Sequence, residues 1–286
     1  MPSTTRWKDT TNKSFDDIRS ILNNVNTAIL YDRGYSDLES KNFYKNSNSI
    51  AISGKDIKYN FYEYSVQKKM DADSSDDVRV IKFFILLYEK DSHIYYIIDK
   101  NTDAKPFIRG LMSYSGQREI EQIDSKIDKN MLIWLISRVY TLQNEIEDEE
   151  FIINSVISFR GSTDDQLTSI TADGDSITNL LSTLTFILES KTLKYIKVRI
   201  DYKTHKNLEI KLAAGGVVSV NTDNYIGPFL GSSDLMAKVL LVVYLEILPL
   251  IRDWYNSNGG LESNYYTDFY KKLADDVSDK IHNMNM

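Results

Sequence analysis

Hydrophobic residues recur along the chain with two different periods, and the period changes from segment to segment. Phe15, Ile18, Leu22, Val25 and Ile29 are spaced three to four residues apart, which places them on one helical face. Ser14 precedes them as a cap, and Asp16 and Asp17 fall in the first turn, where the helix dipole favours anions. Ser40 to Ser49 is polar and reads as a loop. Ile57 to Val66 is rich in Tyr and Phe and predicts a strand. After an acidic loop from Met70 to Asp77, Val78 to Tyr88 and His93 to Ile98 predict a hairpin closed at Glu89 to Ser92. Pro106 and Gly110 punctuate a further loop, and Gln117 to Ile127 fits a helix.

Helical spacing returns at Met131 to Ile146, where Leu132, Leu135, Val139 and Leu142 form a stripe that runs into the acidic cluster Glu145 to Glu150. Phe151 to Arg160 predicts a strand. A polar stretch follows from Gly161 to Ser176, and Ile177 to Leu188 is read as a helix capped by Asp175 or Ser176. Strict alternation then appears. Val198, Ile200 and Tyr202 alternate with Lys197, Arg199, Asp201 and Lys203, and Leu208, Ile210 and Leu212 with Glu209 and Lys211. Thr204 to Asn207 joins these two strands, and Val217 to Val220 adds a third, giving an antiparallel meander with one solvated face. Asp234 opens a strongly apolar helix that reaches Tyr255 with a kink at Pro249, and Tyr265 to Ile281 is a last amphipathic helix. The fold class that follows is α+β. An N-terminal region of helix and β-hairpins spans residues 1–128, and a C-terminal antiparallel meander packed against helices spans 129–286.

Composition narrows the chemistry. The 286 residues carry 42% hydrophobic and 26% charged residues, enough to fill a core. Cys is absent, which removes disulfides, thiolate nucleophiles and Cys-based zinc sites and fits a reducing cytoplasm. The three His residues, His93, His205 and His282, form no close pair, so a His-rich metal site is not expected. No glycine-rich phosphate loop is present, and no cofactor is expected. The first residues, Met1 to Ser14, lack an apolar signal core, and no apolar run approaches the ~20 residues of a membrane span.

Net charge is −7, yet Lys191 to Lys211 holds Lys191, Lys194, Lys197, Arg199, Lys203, Lys206 and Lys211 against only Asp201 and Glu209, a local charge of +5. Such a ribbon can lie along phosphates, which makes Lys194, Lys197, Arg199, Lys203, Lys206 and Lys211 the candidate nucleic-acid contacts. Solvation of an ordinary polar strand face accounts for the same residues. Asp173 and Asp175 after Gly161-Ser162, with Asp201 on a later strand, resemble in outline the carboxylates of a metal-dependent nucleotidyltransferase or nuclease. Gly174 between the two carboxylates points instead to a turn. Glu189-Ser190-Lys191 repeats part of a nuclease pattern but follows the segment read as a helix. Asp71, Asp73, Ser75 and Asp77 alternate as in a calcium loop, but Asp76 and Lys82 stand where that loop needs Gly and Glu. The helix from Leu235 is apolar on several faces. It fits a core helix, a homodimer seam, or the contact of a scaffold subunit with a protein partner.

Phe159-Arg160-Gly161-Ser162-Thr163, with Asp165 following, resembles the Rex A-like phage-exclusion proteins. The likeness extends in outline over the C-terminal half, through the lysine-rich ribbon of Lys197, Arg199 and Lys203 to the Tyr-rich terminal helix. It implies a cytoplasmic, self-associating, non-enzymatic protein that binds DNA and acts in defence against infecting phage.

Overall fold

The computed structural model describes residues 1–26, 35–69, 78–100, 102–116, 118–162, 169–173, 185, 192–258 and 264–284. The chain is α+β and forms two compact units, Pro2–Asp124 and Ser125–Met286.

In the first unit the strands are β1 (Ser3–Asp9), β2 (Tyr35–Asn42), β3 (Asn48–Ile52), β4 (Lys55–Lys69), β5 (Val78–Lys90), β6 (His93–Ile98) and β7 (Ile120–Gln122). They form an antiparallel sheet in the order β1-β6-β5-β4-β2, with β3 also on β4 and β7 also on β1. Helix α1 (Phe15–Asn23) opens on a capping box, in which the Ser14 hydroxyl accepts from the Asp17 N–H and the Asp17 carboxylate accepts from the Ser14 N–H. Phe15, Ile18 and Leu22 of α1, and Phe107, Ile108 and Leu111 of α2 (Ala104–Leu111), bury against Tyr64, Phe83, Ile85 and Tyr96 on one sheet face. Within that core, Tyr96 and Tyr114 both donate to Asp9 at 2.6 Å, and Thr11 donates its N–H to the other carboxylate oxygen at 2.9 Å. The carboxylate is therefore satisfied although Asp9 is buried.

The second unit contains α3 (Lys129–Tyr140), β8 (Glu145–Ile146), β9 (Phe151–Ser162), β10 (Ser169–Asp173), β11 (Thr192–Tyr202), β12 (His205–Ala213) and β13 (Val218–Asn221). The sheet order is β10-β9-β11-β12-β13, all antiparallel, with β8 on β9. The apolar face, with Val156, Ile196, Val198, Ile200, Leu208, Ile210 and Val220 all buried, is covered by α3 and by a helix from Leu235 to Ser257. That helix consists of α4 (Leu235–Val242), one wide π turn (Val243–Ile247) and α5 (Leu248–Ser257). Pro249 has no N–H for the carbonyl four residues back and its ring crowds that carbonyl, so the helix widens immediately before it. Trp134 of α3 meets Trp254 of α5 edge-on at 4.8 Å, and the Arg138 guanidinium lies 5.0 Å and 5.6 Å from the two rings. Helix α6 (Asn264–Met284) buries Phe269 and Leu273, and its Asp276 accepts from Tyr140 of α3.

Several elements differ from the pattern-based expectation. Ser40 to Ser49 holds the end of β2 and the start of β3, not a continuous loop. As an edge strand β2 has no fully buried residue, so its polar sequence carries no apolar period. The segment read as a helix from Gln117 to Ile127 is not helical over its described residues, 118–127: Ile120–Gln122 pairs with Trp7–Asp9, so the first residues of the chain also form a strand that their polarity hides. Pro106 lies inside α2, where the first turn needs no N–H from it. Helix α3 stops at Tyr140, with Leu142 left-handed at φ 57° and 85% exposed. The segments Met70 to Asp77 and Glu189 to Lys191, and all of Ile177 to Leu188 but Thr185, lie outside the described residues. Among the described residues, no helix is long and apolar enough to cross a membrane.

Candidate nucleic-acid interface

A two-residue turn at Lys203 and Thr204, with Lys203 left-handed at φ 50°, joins β11 directly to β12. The loop is therefore shorter than Thr204 to Asn207, and the shorter turn together with a register shift between Ile200 and Tyr202 sets which side chains meet. Tyr195 lies opposite Ala213, Lys197 opposite Lys211 and Arg199 opposite Glu209. On the neighbouring strands Arg160 is opposite Tyr195, Ser158 opposite Lys197 and Ser155 opposite Arg199, while Ser219 and Asn221 are opposite Lys211 and Glu209. Directly opposed residues share a face. One face of the sheet therefore presents Arg160, Lys197, Arg199 and Lys211 around Tyr195 and Glu209.

Glu209 is the electrostatic centre of this face. Its carboxylate receives Lys197 Nζ at 2.7 Å, an Arg199 guanidinium nitrogen at 3.2 Å and Asn221 Nδ2 at 3.2 Å. Burial alone would push its carboxyl up. The hydrogen bonds from Lys197, Asn221 and Arg199 outweigh that and hold it down to about 2. Its side chain is 6% exposed, while those of Lys197 and Arg199 keep 21% and 28%. Among the described residues Lys211 has no such anchor, and its ammonium lies 3.8 Å from the Tyr195 ring centroid.

The remaining candidate cations are elsewhere. Lys194 is exposed ahead of a bulge, and its carbonyl accepts from the Ala214 N–H at 2.9 Å. Lys203 stands at the turn over the Tyr202 ring at 4.7 Å. Its hydrogen bond to Tyr202 raises its pKa, whereas burial is what raises that of Tyr202. Lys206 pairs with Asp201 at 3.6 Å. The six cations therefore form a face set (Lys197, Arg199, Lys211), a turn set (Lys203, Lys206) and Lys194, not one continuous ribbon. Behind the turn, His205 Nδ1 meets Tyr225 Oη at 2.8 Å, and burial lowers the His205 pKa against an opposing pull from Glu246 in the π turn.

The acidic alternative is not assembled by this register. Asp173 is opposite Ser158 and Asp201 opposite Ile152, six residues apart along β9, which at about 3.3 Å per residue is roughly 20 Å. One ion cannot bridge that span. Asp201 is also engaged, accepting from the Asn207 N–H at 2.9 Å besides pairing with Lys206. Asp175 lies outside the described residues, and among the described residues no group of three potential ligands is placed to hold a metal. Val243, the centre of the expected helix seam, is fully buried within its own unit.

Sequence reasoning finds Lys197, Arg199 and Lys211 but not the parts that organise them. Arg160, Tyr195, Glu209 and Asn221 become visible only when the turn is placed at Lys203-Thr204 and the register shifts along β11, including the one between Ile200 and Tyr202, are known. No protein-family model matches the chain, and no curated protein matches it in sequence.

Proposed function

We propose that the chain is a non-enzymatic nucleic-acid-binding protein whose contact surface is the charged face of β9, β11 and β12. The supporting observation is the direct opposition of Lys197 and Lys211, with Arg160 and Arg199 on the same face, where the described carboxylates are Glu209, held by Lys197 and Arg199, and Asp201, paired with Lys206. Like charges directly opposite cost stability, and a phosphate placed over them relieves that cost. Tyr195 beside them offers a ring on which a base can stack once Lys211 turns outward. A role in excluding infecting phage rests on the resemblance at Phe159 to Asp165.

The test is fluorescence anisotropy with labelled single-stranded and duplex DNA at low and near-physiological salt. Reversal of Lys197 or Arg199 is the wrong probe, because it opposes buried Glu209 with a like charge. The double variant Lys194→Glu, Lys211→Glu changes residues outside that ion-pair cluster and should weaken binding at least tenfold, while the salt slope falls by about one for each phosphate no longer neutralised. Unchanged affinity in this variant, or no binding by the wild type at low salt, refutes the assignment.

A further inference from the structure

The cations of the charged face stand on inner strands. Arg160 of β9, Lys197 and Arg199 of β11 and Lys211 of β12 are flanked by β10, where Thr171 lies opposite Arg160, and by β13, where Ser219 lies opposite Lys211. From β10 to β13 the sheet is about 19 Å wide, at about 4.8 Å between neighbouring strands. The major groove of duplex DNA is about 12 Å wide and admits a helix or a two-stranded ribbon, and the minor groove is narrower. The face therefore enters neither groove and can meet a duplex only along its outside.

The two ends of the face also differ in charge. Arg160, Lys194 and Tyr195 lie at one end. At the other, β8 and β9 close a short acidic hairpin on which Glu145, Glu147, Asp148, Glu149 and Glu150 are all exposed. Phe151 lies opposite Tyr202 there, and the Lys203 N–H donates to the Glu150 carbonyl at 2.9 Å. Tyr195 and Tyr202 are seven residues apart on β11, roughly 23 Å. That is well beyond the ~8 Å screening length at physiological salt, so the acidic end repels phosphates without weakening the Tyr195 end.

We propose, resting on the nucleic-acid reading of this face, that its ligand is a single strand held at the Tyr195 end. A duplex keeps its bases stacked on one another and is straight over this distance, with a persistence length of about 150 base pairs. Laid along the strands it carries phosphates onto the acidic hairpin, and laid across them it offers Tyr195 no free base. A single strand bends between nucleotides, stays over the cations and places an unpaired base on the partly exposed Tyr195 ring. The Lys211 ammonium, now 3.8 Å from the centroid of that ring, turns to the neighbouring phosphate.

The experiment is fluorescence anisotropy of the full chain with a labelled oligothymidylate of about twelve nucleotides, alone and annealed to its complement, at about 50 and 150 mM salt, with circular dichroism as the folding control. The single strand should bind roughly tenfold more tightly than the duplex. Tyr195→Ala should weaken single-strand binding by about fivefold or more and leave duplex binding unchanged, while Tyr195→Phe keeps the wild-type affinity. Neutralising the hairpin with Glu147→Gln, Asp148→Asn and Glu149→Gln should strengthen duplex binding several-fold and change single-strand affinity by less than about twofold at the higher salt. Binding of neither oligonucleotide refutes the nucleic-acid reading and this inference with it. A duplex bound as tightly as the single strand, a single-strand affinity that Tyr195→Ala leaves unchanged, or a neutralised hairpin that strengthens both alike overturns the single-strand assignment alone. If Tyr195→Ala fails to fold, the ratio of the two wild-type affinities and the hairpin variant still decide.

Discussion

Among the described residues, each sheet contains one pair of like charges directly opposed across two long antiparallel strands. In the first unit it is Lys68 and Arg79, and in the second it is Lys197 and Lys211. The two are handled differently. In the second unit Glu209 lies one row away and draws Lys197 down to 2.7 Å, at the expense of holding a carboxylate out of water. In the first unit no ion pair forms at Lys68 or Arg79 among the described residues. Lys68 instead extends over the Tyr35 ring at 5.5 Å, and Arg79 remains in solvent on an open edge. Repulsion near solvent is tolerated because water screens it. Repulsion over a half-covered sheet face needs a counter-charge, which must itself be solvated by the protein.

The largest expected effect comes from removing that counter-charge. Glu209→Gln leaves Lys197 and Arg199 half-buried with no anion between them and should cost the second unit on the order of 3 kcal/mol. Urea unfolding followed through Trp134 and Trp254, with Trp7 replaced by Phe, would measure it. The same substitution releases two cations from their anion, so DNA affinity at low salt should rise several-fold while stability falls. A variant that loses both would show that Glu209 only supports the fold.

The second contrast is in pH. Glu209 has a folded pKa of about 2, below its ordinary 4.5, so the stability it contributes is complete above about 4.5 and is lost as pH falls toward 2. Asp99 behaves in the opposite sense. Burial pushes it up to about 6 against the hydrogen bond from the Phe84 N–H, so the folded first unit holds that proton more tightly than the unfolded chain. Its stability should therefore decline as pH rises from about 4 to 6. Trp7 fluorescence during unfolding should show this decline, and Asp99→Asn should flatten it; an unaltered profile would remove Asp99 as its source.

The smallest effect is the most discriminating. Lys211→Glu alone replaces a repulsion with Lys197 by an attraction and should stabilise the second unit by about 0.5 kcal/mol. It should nevertheless weaken nucleic-acid binding. Stability and binding that fall together would mean that the face is structural.

Much of the fold can be read from the sequence because burial writes a period into it. The strands around Ile57 to Val66 and Leu193 to Tyr202, the capping of α1 at Ser14 and the apolar helix from Leu235 all carry that signal. Strands β1, β2 and β7 are hidden because little of their surface is apolar and their pairing runs through the backbone, which no side-chain pattern records. The site is half legible. Alternation alone places Lys197 and Arg199 on one face. A four-residue loop at Thr204 to Asn207 would pair Lys203 with Leu208, and therefore Arg199 with Leu212. The true turn at Lys203-Thr204, together with the register shift between Ile200 and Tyr202, moves the partner of Arg199 by three residues, from Leu212 to Glu209. The pairing of Asp173 with Asp201 misleads for a related reason, since distance along the partner strand β9 is invisible until both registers are known.

The wide turn at Val243 to Ile247 has a consequence for helical phase. One residue more than an α-helical turn rotates everything beyond it by about 100°. Arg252, Trp254 and Tyr255 are therefore not in the stripe that Leu235 to Val242 would project forward. The contact of Trp254 with Trp134 depends on that offset. Any comparison of this helix with an uninterrupted one must shift alignment by one position at Glu246, or it will set every residue of α5 one position out of phase.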